Sequence, residues 1–318
     1  MTATTDNHTA HAPGSAEAET VGAGKIVLGK NQYGKAEVRL VRITRDTDRH
    51  AIEDLNVTSQ LHGDFESAHT EGDNSNVVAT DTQKNTVYAL AKDSVGSPET
   101  FLLRLGTHFT TSFAWVTGGR WSAEQYAWDR INDHDHAFSR NKSETRTALL
   151  LVDGARQHVV AGIKDLTVLK STGSEFHGFP RDRYTTLAET TDRILATDVT
   201  AKWRYNPDAI GDIDFDAVYG SVRGILLDAF AQTHSLALQQ TMFQMGKKVL
   251  EAHPEIQEVR LSLPNKHHFL VDLSAFGLEN PNEVFFAADR PYGLIEATVE
   301  REGATTESAV WADTPGFC

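Results

Sequence analysis

Phe176 and Arg193 lie 17 residues apart in LTVLKSTGSEFHGFPRDRYTTLAETTDR, residues 166–193, a run dense in small and hydroxyl side chains. An aromatic face and a planar cationic fork are what a site needs to hold a flat, anionic heterocycle. The ring stacks, and the guanidinium grips one edge through paired N–H groups. The spacing by itself proves nothing, so the rest of the chain must supply the other contacts.

Four further places carry polar residues that admit two readings each. Lys35, in YGKAEVRL, is a solvated lysine, or one partly buried at a strand end with its pKa lowered until it can take a proton. Thr80 and Asp81 open a predicted helix. They serve as a cap and a first-turn acid, or they mark a helix start whose free N–H groups receive an anion. Leu238 and Gln239 follow Ser235, a candidate N-cap, so their N–H groups lack intrahelical partners. The Gln239 amide offers a donor and an acceptor, which suits a cyclic amide edge; the plain alternative is a surface glutamine. Asn265 and His267 stand two apart in SLPNKHHFLVDL and face the same way on a strand. Pro264 predicts an edge or a bulge there; the alternative is a turn with a surface histidine.

The cluster NDHDHAF, with Asp133, His134, Asp135 and His136, has metal-type side chains. Neighbouring residues point apart on a strand, however, and no HExxH or paired CxxC accompanies them. A polar loop is the expected reading, and a metal-dependent hydrolase is the rival one. No GxGxxG before a helix, P-loop or GxSxG is present, which argues against the common nucleotide, flavin and serine-hydrolase chemistries.

The elements that must position these residues follow from periodicity. Alternation predicts strands over 35–45 and 49–62. A capping-box pattern, Thr80 to Gln83, starts one helix, and Ser97-Pro98-Glu99 starts a second. Strands are expected around 113–131, 145–153 and 157–171. A short helix at 186–192 opens with Thr186 and Glu189, and a strand follows over 194–205. Helices carry Phe215 to Phe230 and Leu238 to Val249 at helical spacing, and strands close the chain near 256–273 and 282–300. Strand pair, helix pair, strand pair, twice over, predicts an α+β chain of two tandem units with helices on one sheet face. The expected division is 1–23 a disordered leader, 24–142 and 143–303 the two units, and 304–318 a tail. A sheet face without helices must be covered by something, and oligomerisation is a natural outcome.

Composition sets the outer limits. The 318 residues carry a net charge of −14, which argues against non-specific nucleic-acid binding. The one cysteine is Cys318, so no intramolecular disulfide can form and a reducing compartment fits. No apolar run approaches the ~18 residues of a membrane span. The first 23 residues lack a secretory pattern, and the Gly-Phe-Cys ending is not a peroxisomal tripeptide. A cytoplasmic protein is expected.

Six segments, in order, resemble the motifs of urate oxidases: YGK at 33–35, VVATDTQKNTVY at 77–88, LTVLKSTGSEFHGF at 166–179, YTTLAETTDRILATDV at 184–199, LQQTM at 238–242 and SLPNKHHF at 262–269. The resemblance covers roughly residues 24–303. It implies the tunnelling fold (T-fold), two ββααββ units per chain, with homotetramers forming a tunnel and active sites at subunit interfaces. It also implies oxidation of urate with O₂ and water, using no metal and no organic cofactor. By position, Phe176 would stack on the purine and Arg193 would grip one edge. Gln239 and the Leu238 N–H would hold the opposite edge. Thr80 and the Asp81 main chain of a neighbouring subunit would close the remaining side. Asn265 would hold O₂ or water above the ring, and Lys35, Thr80 and His267 would relay protons. Two departures are small: Leu238 stands where some relatives carry valine, and His177 where others carry a bulkier aromatic.

Overall fold

The computed structural model describes residues 24–304 and 308–312. The expected leader at 1–23, Cys318 and most of the expected tail lie outside these residues. In chain order the elements are β1 (Tyr33–Thr44), β2 (Ala51–Gly63), α1 (Glu66–Thr70), α2 (Thr80–Asp93), α3 (Pro98–Ser112), β3 (Val116–Gln125), β4 (Trp128–Arg130), β5 (Phe138–Arg140) and β6 (Thr145–Asp153). They continue with β7 (Arg156–Lys170), β8 (Leu195–Tyr205), α4 (Phe215–Gln232), α5 (Leu238–Ala252), β9 (Ile256–Lys266), β10 (His268–Leu270), β11 (Phe285–Ala287), β12 (Gly293–Glu300) and α6 (Ser308–Trp311).

Eight strands form one antiparallel sheet in the order β1-β2-β3-β6-β7-β8-β9-β12. The ββααββ order appears twice, as tandem T-fold units. The expected junction at 142/143 precedes β6, so each copy of that order is completed only if the junction moves to the turn at 154–155.

Alternation along the strands sorts the two faces. Leu55, Val57 and Leu61 of β2, Trp121 of β3, and Val199, Ala201 and Trp203 of β8 are buried under the helices. The helices meet them with Val87 of α2, Phe101, Leu105 and Phe109 of α3, Val222 and Leu226 of α4, and Met242, Met245 and Val249 of α5. The opposite face carries Thr58, Ser122, Thr147, Thr200 and Lys202 around an open depression of 440 Å³. Arg146 joins the two units: it meets Glu99 of α3 at 2.7 Å and Asp216 of α4 at 2.5 Å. Among the described residues no helix is long and apolar enough to cross a membrane.

Several expectations give way to tertiary structure. Residues 186–192 form no helix. Glu189, expected to close a capping pattern, instead accepts a hydrogen bond from the Gly178 N–H at 3.0 Å, and Thr190 pairs with Phe176 in a bridge. Thr80 is not the N-cap of α2; Ala79 is, with no side-chain cap. Gln83 cannot complete a capping box because it is buried, accepting from Ser59 Oγ at 3.0 Å. Ser235 likewise does not cap α5, which starts from Ala237; the Ser235 hydroxyl donates to the Ala237 carbonyl. Pro264 lies neither on an edge nor at a recorded bulge. It pairs with Leu294 in β12, and only its pairing toward β8 is interrupted, from Thr197–Asn265 to Thr200–Ser262. The two long closing strands are each broken, because β10 and β11 leave the sheet as a separate hairpin. The run at 113–131 is split in the same way, β4 pairing with β5.

Candidate active site

The described residues gather the expected site side chains into two clusters. In the first, Gly34 and Lys35 open β1. A side chain at Gly34 would place its Cβ 1.8 Å from the Ser59 carbonyl oxygen, so only glycine permits this approach to β2. Lys35 is half-buried and pairs with Ser59. A bulge follows immediately, with Glu37 at φ 55, and bulges re-aim neighbouring side chains.

The start of α2 is pinned to this strand end. Tyr33 donates its hydroxyl to the Val78 carbonyl at 3.2 Å, two residues before Thr80. Gln83 links Ser59 to that same carbonyl. Thr80 is half-buried at the first helical position. The Asp81 carboxylate accepts from Lys84 and from Asn85. Lys84 first, and Lys35 more weakly, hold it below the usual carboxylate range. The carboxylate is thus engaged on its own helix.

The second cluster forms at the other end of the sheet. Phe176 is half-buried, its ring stacked on Phe179 with centroids 5.0 Å apart. The Arg193 guanidinium lies 5.1 Å from the Phe176 centroid, and burial holds it below its ordinary value. His177 points away as an exposed partner of Glu175. The Ser174–Ser235 bridge brings this segment against the start of α5. There Leu238 is buried and Gln239 exposed. The first intrahelical bond runs from the Gln240 N–H to the Ala237 carbonyl, so the Leu238 and Gln239 N–H groups are the open ones of an uncapped helix. Asn265 and His267 are half-buried where β9 ends. Burial, then the Arg193 charge, then His268 push the His267 imidazole below its ordinary 6.5. Ala196, three residues past Arg193, pairs with Lys266, which brings His267 to this cluster.

The two clusters stand at opposite corners of the chain. β1 is the first strand of the sheet and β9 the seventh; six steps of about 4.8 Å separate them by about 29 Å along the sheet. Register adds to this. Lys35 leads through Ser59, Trp121 and Leu150 to Val159, and then toward the Tyr205–Ile256 pair. That is the beginning of β9, whereas Asn265 stands nine residues farther on, about 30 Å along an extended strand.

The NDHDHAF segment is a polar loop built on a short 3-10 turn, Ile131–Asp133. Arg49 pairs with Asp133 and Asp135, and Arg130 donates to the carbonyls of His134 and Asp135. Among the described residues no three His, Cys, Asp or Glu side chains are gathered as a metal set. The sequence reading missed the buried polar residues beneath both clusters: Ser59 and Gln83 under the first, Ser174 and Thr241 under the second. The density of hydroxyl residues around 166–193 was the available signal for Ser174.

Fold and clusters together define a tandem T-fold protein in which α2 and α5 start without a side-chain cap and an aromatic ring and a guanidinium stand together. Comparison with known proteins gives the family. The uricase family model matches residues 31–150 and 159–296. The uricase of Arthrobacter globiformis is 71% identical over 304 residues, 96% of this chain and all of that one. The uricase of Dictyostelium discoideum is 39% identical, covering 85% and 96%. The crystal structure of the Arthrobacter globiformis uricase superposes with a TM-score of 0.88 at 72% identity, over 91% of this chain and all of that one. That of Bacillus sp. TB-90 urate oxidase gives 0.74 at 26% identity, over 86% and all of it. The chain belongs to the uricase family.

Proposed function

We infer that the protein is a urate oxidase, converting urate, O₂ and water to 5-hydroxyisourate and hydrogen peroxide. Besides family membership, one observation carries the site assignment: Phe176, Arg193 and the open start of α5 converge on one locus, offering a stacking face, a cationic fork and free N–H donors. In this reading Phe176 stacks on the purine, Arg193 grips one edge bidentately, and Gln239 with the Leu238 N–H holds the opposite edge. Asn265 holds O₂ or water above the ring.

The proton chemistry falls to Lys35, Thr80 and His267. Urate is already electron-rich, and removal of a further proton makes it a better reductant, provided the site stabilises the added charge. A threonine hydroxyl is too weak a base alone. Lys35 draws the Thr80 proton, and His267, kept neutral by burial and by Arg193, couples the relay. Holding O₂ over a fixed ring supplies the rest through proximity. No metal and no organic cofactor takes part in this scheme.

Because the two clusters lie at opposite corners of a chain, the complete site needs a second copy, which contributes Thr80, the Asp81 main chain and Lys35. Both sheet edges support this. Val41 and Ile43 are exposed on β1, as are Leu294 on β12 and Phe269 and Phe286 on the β10–β11 hairpin, and uncovered apolar patches of this kind mark interfaces. A homotetramer working in the cytoplasm completes the reading. The test is a urate assay on metal-stripped protein. Loss of the near-ultraviolet absorbance of urate with peroxide release is expected. Inactive stripped protein, rescued by a divalent ion, would overturn the metal-free scheme.

A further inference from the structure

The Arg193 side chain is held from beneath by a residue outside the ligand contacts. Ser174 is fully buried. Its carbonyl accepts from the Arg193 N–H at 2.9 Å, and its Oγ accepts from Arg193 Nε at 3.2 Å. One residue thus fixes the arginine at both ends of its aliphatic stem.

Ser174 is itself tied to the helix that would hold the opposite substrate edge. It bridges Ser235; the Glu175 N–H donates to the Ser235 carbonyl at 2.7 Å, and the Ser235 N–H to the Gly173 carbonyl at 2.9 Å. Thr241 of α5 donates to Ser235 Oγ at 2.8 Å, and that hydroxyl donates to the Ala237 carbonyl at 3.0 Å. Ser235 and Thr241 are both fully buried. Buried hydroxyls with good partners specify one geometry, since moving any of them leaves a polar group unmatched.

A guanidinium is a rigid plane with five N–H groups. With the Nε–H committed to Ser174, rotation about the end of the side chain is blocked, and the two Nη groups are presented together. That is the face that meets two adjacent acceptors in one plane, as on the edge of a purine anion. We propose that Ser174 is a positioning residue for the oxidation, orienting the Arg193 fork and setting its distance from the start of α5. This rests on the reading of Arg193 as the urate clamp.

The test uses the full-length protein with Ser174→Ala, Ser174→Cys, Arg193→Gln and the double variant Ser174→Ala/Arg193→Gln. For Ser174→Ala, KM for urate and the Kd of a non-oxidisable purine anion should rise roughly 10-fold, with kcat within about 3-fold of wild type. Ser174→Cys keeps the volume with a weaker acceptor and should fall between; it also serves if the alanine variant does not fold. On the Arg193→Gln background the alanine change should add less than about 2-fold to Kd, because the group it orients is gone. Full additivity, or a Ser174→Ala protein that binds the anion like wild type while Arg193→Gln does not, overturns the positioning role and leaves the function intact. Wild-type binding by Arg193→Gln overturns both the clamp and its support.

Discussion

Of the four long helices α2 to α5, two start with a side-chain cap and two without. In α3, Ser97 accepts from the Thr100 N–H at 3.1 Å, with Pro98 opening the helix; in α4, Asp214 accepts from the Ala217 N–H at 3.0 Å. In α2 and α5 the caps are Ala79 and Ala237, and neither start has a side-chain acceptor. All four helices pack on the core, and the uncapped starts carry Thr80, Asp81, Leu238 and Gln239. The open end falls on the first long helix of one unit and on the second of the other, and the residues beside it differ. In the first unit it stands beside a lysine, in the second beside an aromatic ring and an arginine. In the proposed scheme the two starts divide the work: Lys35 and Thr80 handle protons on one side, with His267 joining them from the other, where Phe176 and Arg193 grip the anion.

That division is broken most severely by variants in the two clusters. Lys35→Met or Thr80→Ala should lower kcat by about 1,000-fold, the scale of positioned acid–base catalysis, while an inert purine analogue binds within about 3-fold of wild type. Arg193→Gln should do the converse, weakening analogue binding about 100-fold through loss of two charge-assisted bonds. Equal losses of binding and turnover at Lys35 would remove the distinction.

The helix ends sharpen the comparison at a smaller scale. Ala237→Ser introduces an acceptor for the N–H groups of the first turn. The helix should gain about 1 kcal/mol, read as a raised unfolding midpoint, and affinity for the purine anion should fall several-fold. Greater stability with unchanged affinity would show that those N–H groups do not face the ligand. Adding the same residue at a start that already has Ser97 or Asp214 has no counterpart.

These starts also show what the sequence could and could not say. The long periodic elements were legible because burial repeats every two or every 3.6 residues, and the family was legible because six motifs stand in its order. The capping box at Thr80 misled because Gln83, free in a local reading, is taken by Ser59 of β2. The pattern from Thr186 to Glu189 misled for the same reason, since Glu189 serves the Gly178 N–H across the loop. Local signals were overridden wherever a partner distant in sequence claimed the polar group. Ser174 shows the same blindness from the other side: its acceptor role depends on an arginine 19 residues away.

The smallest expected effect concerns pH. His267 is held below 6.5 by burial, by Arg193 and by His268, so its protonation, which would stop the relay, belongs on the acid side of 6.5. The acid limb of kcat/KM should lie there, and His268→Asn, which removes the weakest of the three influences that lower it, should move it upward. A limb at or above 6.5 in the wild-type protein would exclude a neutral His267 as the group it reports.

The central claim is that no chain holds a complete site, and complementation tests it most directly. Thr80→Ala chains and Arg193→Gln chains, each nearly inactive alone when assayed at urate well below the wild-type KM, are unfolded, mixed in equal amounts and refolded together. Half of the two-fold pairs are then mixed, and each mixed pair has one site in which both contributing clusters are intact. Urate turnover should therefore return to about one quarter of wild type. If mixing restores nothing although mixed assemblies form, the two clusters do not meet across a subunit boundary and the account is wrong.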